Sequence, residues 1–229
     1  MTSVHQFDAT ANDAPKTSVS SCGRQLSPRE KVVDVTCRIF RRLARLRAYW
    51  LLMLEPDDIP DSFRLENCKF EGRVIRGSEL SILAGQHRDL GEKFIARSKL
   101  RGDWCHAYFD GDRLASYGWC STQPARVGDY FYFEFPGDYI YMHRGYTMRD
   151  YRGAYLNGYG MAEAVHLAAS EGKRGLVGLV EVQNVASLRS ADRLGFRREG
   201  MVFAFRIFGH WMTLRTTGCR QRDCGLMHH

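Results

Sequence analysis

The sequence predicts a mixed α/β fold whose centre is one parallel pair of strands joined by a helix. Three observations carry this expectation. Short alternating or aromatic segments up to about residue 148 read as strands, several of them joined by tight turns. The run 176–182, LVGLVEV, is apolar almost throughout, as suits a central strand covered on both faces. Between that run and the extended stretch 139–148 lies a helical pattern from Asn157 to about Glu171, with Met161, Ala164, Val165 and Ala168 on one face.

Taken from the N-terminus, residues 1–27 are rich in Ser, Thr, Asp and Asn and are expected to be disordered. From Pro28 an apolar stripe of Val32, Val35, Ile39, Leu43, Leu46, Trp50 and Met53 steps by three and four residues. It predicts an amphipathic helix over 28–56, with Ser27 as N-cap and Pro28 in the first helical position. Pro56 and Pro60 then punctuate the chain, so the main domain is expected at 60–217, followed by a loose tail at 218–229. Within the domain, 63–75 reads as a strand and 77–99 as one or two helices. Residues 104–109 and 114–120 form a hairpin about Asp110-Gly111. Pro136-Gly137 divides the aromatic stretch 130–148 into two strands. Residues 187–194 form a short helix, and 202–208 pairs with 211–216 across Gly209-His210.

The 229 residues allow one good core and a small appendage. No apolar run reaches the ~18–20 residues of a membrane span, and the N-terminal residues lack the apolar centre of a secretory signal. The expected location is the cytoplasm, with a peripheral membrane association open through the basic helix. Seven cysteines without paired spacing predict neither a disulfide framework nor a metal site, and the tail's Cys219, Cys224, His228 and His229 read better as a frayed end. The net charge of +7 is concentrated between Arg24 and Leu54, where eight basic residues face only Glu30 and Asp34. The remainder is near neutral, which argues against nucleic-acid binding over the whole surface. That basic helix fits an anionic partner, either an acyl carrier protein or an anionic membrane surface; docking on the chain's own domain is the alternative.

Two stretches carry chemistry. Residues 147–158, TMRDYRGAYLNG, link a strand to a helix through a glycine-containing turn, which aims backbone N–H groups at the positive end of the helix dipole. Downstream, Asn184 leaves the central strand and Ser187 opens a short helix closed by Leu194-Gly195-Phe196. Asn184 there either caps the helix or bonds a ligand beside the strand.

The segment 152–157, Arg-Gly-Ala-Tyr-Leu-Asn, resembles the pyrophosphate loop of the GNAT (GCN5-related N-acetyltransferase) superfamily, and Asn184-x-x-Ser187 with Leu194-Gly195-Phe196 is similar to its second motif. The resemblance spans roughly residues 63–217. It implies the GNAT fold, a mostly antiparallel sheet with one splayed parallel pair flanked by helices. It also implies an N-acyltransferase that moves an acetyl or longer acyl group from acyl-CoA to the primary amine of a small molecule or peptide. By that resemblance Arg152, Gly153, Ala154, Tyr155, Leu156, Asn157 and Gly158 hold the pyrophosphate. Asn184 and Ser187 flank the cofactor, Thr147 meets the pantetheine arm, and the Gly145 N–H stabilises the oxyanion, a donor worth ~3–4 kcal/mol. Tyr155 and Asn157 depart from the small residues the family prefers. Ala191 stands where a catalytic Tyr is common, leaving Ser190, Tyr155 and Tyr159 as substitutes for the general acid.

Tyr139, Tyr141, His143 and Gly145 share one strand face by period two, and the resemblance places a base at Tyr141 or His143. Imidazole titrates near neutrality, so His143 is the natural base, with a structural histidine as the alternative and Glu134 and His106 behind it. The aromatics from Tyr130 to Tyr146 suit either a substrate pocket or core. A binding module that keeps the fold without catalysis is the rival reading.

Overall fold

The computed structural model describes residues 46–63, 68–207 and 209–228. Eleven strands and four α-helices are found among them. The helices are α1 (Glu92–Arg101), α2 (Leu156–Ser170), α3 (Val185–Leu194) and α4 (Thr217–Gln221). The main sheet is built from β1 (Arg47–Leu54), β2 (Glu71–Ile75), β3 (Trp104–Asp110), β4 (Arg113–Ser121), β7 (Tyr139–Thr147), β8 (Gly175–Glu181), β9 (Arg197–Ile207) and β10 (His210–Arg215). Its order is β10-β9-β1-β8-β7-β4-β3-β2. Only β7 and β8 pair in parallel there; the other neighbours are antiparallel. This is the predicted mixed architecture, with α2 as the crossover.

Helices α2 and α3 cover one face, where Leu52, Leu54, Ile140, Met142, Leu176 and Val180 meet Met161, Val165, Leu188 and Leu194. The other face is shared. A small sheet of β5 (Ala125–Val127), β6 (Phe131–Glu134) and β11 (Gly225–His228) covers β1, β8 and the start of β7. The segment from a 3-10 turn at Gly77–Leu83 through α1 covers β3 and β4.

Four expectations are corrected. Residues 47–54 do not continue a helix; they form β1, paired with both β8 and β9. Tyr49, Leu51 and Met53 enter one core, and Leu52 and Leu54 the other. An apolar run buried on both faces also contains positions at helical spacing, and that coincidence carries the stripe too far. The earlier part of the predicted helix, 28–45, lies outside the described residues, as does the segment 1–27. The domain therefore does not begin at residue 60, because β1 is an interior strand. Nor is 218–229 loose as far as it is described: Cys219 and Cys224 are fully buried, and β11 pairs residue by residue with β6. Finally, the segment expected as a strand from 63 to 75 is a strand only over Glu71–Ile75, with a 3-10 turn at Asp61–Phe63.

Candidate functional site: a cleft between splayed strands

The parallel pairing of β7 with β8 lasts three residues. Tyr139, Ile140 and Tyr141 register with Gly175, Leu176 and Val177, and there the ladder stops. Each strand remains paired on its outer side, β7 with β4 as far as Thr147 and β8 with β1 as far as Glu181. Beyond Tyr141 and Val177 the two strands therefore face each other with backbone groups that the ladder does not use, and such groups require a partner.

A narrow hollow of about 10 Å³, space for roughly one water, lies at this divergence. Met142 of β7 and Gly178 and Val180 of β8 form its floor, Asn157 and Met161 come from α2, and Ser187, Ser190 and Ala191 from α3. The Asn157 Oδ1 is buried and has no hydrogen-bond partner among the described residues. A buried acceptor left unpaired costs ~1–3 kcal/mol, so a ligand that supplies an N–H or O–H there gains what the free protein lacks.

At the mouth, Gly153 and Tyr155 both take left-handed backbone conformations, φ +89° and +57°, and the chain then enters α2 at Leu156. The Gly158 N–H already bonds the Tyr155 carbonyl at 2.8 Å, so Leu156 and Asn157 supply the first-turn N–H groups that the helix ladder does not use. Arg193 of α3 stacks over the half-exposed Tyr155 ring at 4.9 Å, adding a cation that the sequence motifs do not mark. The Arg152 side chain turns back, with Nη2 3.4 Å from the Tyr146 hydroxyl. Asn184 resolves to the capping alternative: its Oδ1 accepts from the Ser187 N–H at 3.1 Å, as an N-cap does.

The catalytic expectations fare differently. Opposite β7, the register slips between Gly118 and Trp119, and Arg144 on β7 has φ +49°, which marks a β-bulge. Trp119 faces His143 and Tyr117 faces Tyr146, whereas Gly145 pairs with Gly118. The bulge thus shifts the alternation by one, and Gly145 does not share the face of Tyr141 and His143. Tyr141 is fully buried among Phe133, Phe135 and His143, so it is core. The same holds for Phe131 and Phe133, which settles those aromatics as packing.

His143 stacks on Tyr141, its Nε2 lies 3.9 Å from an Asp103 carboxylate oxygen, and that nitrogen has no hydrogen-bond partner among the described residues. Burial pushes its pKa down to about 3, helped by the nearby Arg101 and Arg144 guanidiniums. Asp103 offsets this little, because 3.9 Å is too long for a hydrogen bond and Arg101 already engages its carboxylate. An imidazole of that basicity stays neutral at pH 7 but is a weak acceptor for an ammonium proton. The trailing candidates are also removed from the cleft. Glu134 sits on β6 in a separate polar hollow with Arg215 and Thr213, and His106 is fully buried against α2. The Thr147 hydroxyl is 3.0 Å from that of Ser116.

No protein-family model matches the chain, and no curated protein matches it. Solved structures do. A GNAT-family acetyltransferase from Colwellia psychrerythraea superposes with a TM-score of 0.51 at 16% identity, over 80% of this chain and 63% of that one. A GCN5-related N-acetyltransferase-like protein from Streptococcus suis gives 0.46 at 14% identity, over 79% and 67%. A GCN5-related glucosamine N-acetyltransferase region of a fungal multi-domain enzyme gives 0.48 at 14%, over 87% of this chain and 23% of that one.

Proposed function

The chain has the fold of GNAT acetyltransferases, and we propose that it is an acyl-CoA-dependent N-acyltransferase. An acetyl or longer acyl group would pass from the thioester to a primary amine by direct attack in a ternary complex. The observation that carries the reading is the end of the β7–β8 ladder at Tyr141 and Val177, with a pocket directly beyond it. A pantetheine arm is an extended chain with two amides, so it can take up strand backbone groups on one side and meet the buried Asn157 Oδ1 on the other. Its pyrophosphate would lie on the turn from Gly153 to Gly158, near Arg193, where the N–H groups of Ala154 and Gly158 already bond the Tyr151 and Tyr155 carbonyls and the others would be the donors. The Gly145 N–H would face the thioester oxygen; Ser187 and Ser190 both bring hydroxyls to the pocket, and Ser190, beside Ala191, would protonate the leaving thiolate.

The rival is a module that binds acyl-CoA without transferring the acyl group. Ala191 in the pocket wall and the neutral, buried His143 favour it.

Calorimetry with acetyl-CoA and free CoA tests the donor site. Asn157→Leu should weaken acetyl-CoA binding at least tenfold, ~1.4 kcal/mol, while leaving the melting temperature of the free protein unchanged or raised, because it removes an unpaired buried acceptor. Undiminished affinity in that variant removes Asn157 from the site. No binding by the wild-type chain removes the proposed function, and binding without transfer to any amine selects the module.

A further inference from the structure

β9 and β10 carry the main sheet beyond the helices that cover it. No residue of either strand enters the core under α2 and α3, and the cover ends where Arg198, held by Asp192 of α3, lies over the Trp50 ring at 5.4 Å. Val202 and Ala204 turn into the core beneath the small sheet, so by strand alternation Phe203 and Phe205 point to the helix side. Phe203 stands opposite Ala48 of β1 and Leu214 of β10, and Phe205 opposite Met212. Met212 and Leu214 are 51% and 57% exposed, and Leu46 and Val182 are exposed at the border of this face. Besides β1, the elements packed on β9 and β10 are α4 and β11, and these lie on the other face, where Cys219 and Leu226 are buried. A contiguous apolar face across three strands, unlike scattered surface residues, marks a contact.

We infer that this face is the dock for residues 28–45 of the same chain, laid down through Val32, Val35, Ile39 and Leu43. The inference is independent of the proposed acyltransfer. Those four residues step by three and four, the spacing of one helix face, and the segment that carries them joins β1 at Leu46, on the rim of the exposed patch. A short reversal of the chain there brings the stripe over β9 and β10. Eighteen residues in a helix run ~27 Å, against ~20 Å for the six residues of β10, so the segment is long enough to cover the face. Its tether at the rim also keeps it at a high effective concentration, which a second copy of the chain does not share. In a helix, Arg38, Arg41 and Arg45 fall on the side away from the stripe and stay in water. Docking thus buries the apolar stripe and leaves a basic ridge on the outside of the domain, where an anionic partner would meet it. The face is formed by strands already paired with one another, so loss of the contact should lower stability without dismantling the sheet.

The test uses the full chain. Benzoylphenylalanine in place of Leu214 should, on irradiation, cross-link within one chain to a peptide from 28–45, identified by mass spectrometry. Dilute peroxide reads the same face through its methionine. Ile39→Asp combined with Leu43→Asp should abolish the cross-link and raise the rate of sulfoxide formation at Met212 ~3-fold or more, while Met227, exposed on β11, reacts alike in both chains. The same pair should lower the melting temperature by ~5 °C or more. The cross-link is made in an otherwise native chain, so it decides the matter even where the aspartate pair fails to fold. Cross-links between two chains assign the face to a second copy and overturn the inference. It is overturned equally if no cross-link reaches 28–45 and Met212 reacts alike in the wild type and the aspartate pair. Protection of Met212 that begins only when vesicles of phosphatidylcholine and phosphatidylserine are added assigns the face to lipid, and that result overturns it too.

Discussion

His106 sits fully buried between Gly118 of β4 and Gly160 of α2, and neither ring nitrogen has a hydrogen-bond partner among the described residues. Burial lowers its pKa from 6.5 to about 4, and that of His143 to about 3. In the unfolded chain both titrate near 6.5, so the unfolded state binds more protons wherever pH lies between the folded and unfolded values. Their contribution is therefore complete above about pH 6.5 and is lost as pH falls toward 4 for His106 and 3 for His143. Urea melts should show stability dropping by a few kcal/mol between pH 7 and pH 4.5, with each histidine contributing ~1.4 kcal/mol for every pH unit below its unfolded pKa. Replacing His106 with Phe should flatten part of that slope, and an unchanged slope would mean that the ring is not held neutral. The glycines are as specific as the histidine. A Cβ at Gly160 would stand 2.1 Å from His106 Nδ1. Gly160→Ala should consequently cost ~1–3 kcal/mol by overpacking, read as a lower urea midpoint, even though alanine is the better helix former. Gly160 reads in the sequence only as a helix-weakening residue, because its purpose depends on a ring that comes from a distant strand.

Among the elements, α3 shows what local sequence can specify. Asn184 caps it through the Ser187 N–H, and Gly195 closes it in the left-handed conformation at φ +96°. Both signals lie within a few residues of the element they end, and so they are legible. Asn184→Ala should cost ~1 kcal/mol of stability and, by loosening the wall that carries Ser187 and Ser190, should weaken acetyl-CoA binding as well. A fall in stability with donor affinity unchanged would confine Asn184 to capping. The bulge in β7 is the opposite case. Nothing in YIYMHRGYT distinguishes Arg144 as the extra residue, since it is defined by the register against β4 and the sequence alternation runs through it unbroken. That single slip is why strict alternation puts Gly145 on the face of His143, the face that Tyr146 takes instead. β1 is misread for a related reason. Whether Trp50 and Met53 belong to a stripe or to a run buried on both faces depends on the strands beside them.

At the scale of the whole molecule, β1 determines what the basic N-terminal segment can be. Among the described residues no helix is long and apolar enough to cross a membrane. The cluster Arg29, Lys31, Arg38, Arg41, Arg42 and Arg45 is proposed to engage an anionic surface. The proposed partner is an acyl carrier protein or an anionic leaflet, either of which would bring an acyl donor toward the cleft. The chain leaves this segment for β1 at Leu46, which is exposed, and β1 begins opposite the end of β8, where Val182 and Val185 are also exposed. Separating tether from fold depends on where the chain is cut. Removal of residues 1–56 would take out the strand between β8 and β9, with the fully buried Leu51, Met53 and Leu54 it carries, so that product should fail to fold. Removal of residues 1–45 spares every described element; it should melt cooperatively and retain acetyl-CoA binding. Against anionic vesicles and a carrier protein, the full chain should co-sediment or be captured at low salt and be released as screening rises, while the 46–229 chain should bind neither. Equal binding by both chains would move the anionic contact onto the folded domain. Collapse of the 46–229 chain would show instead that the segment completes the core it adjoins.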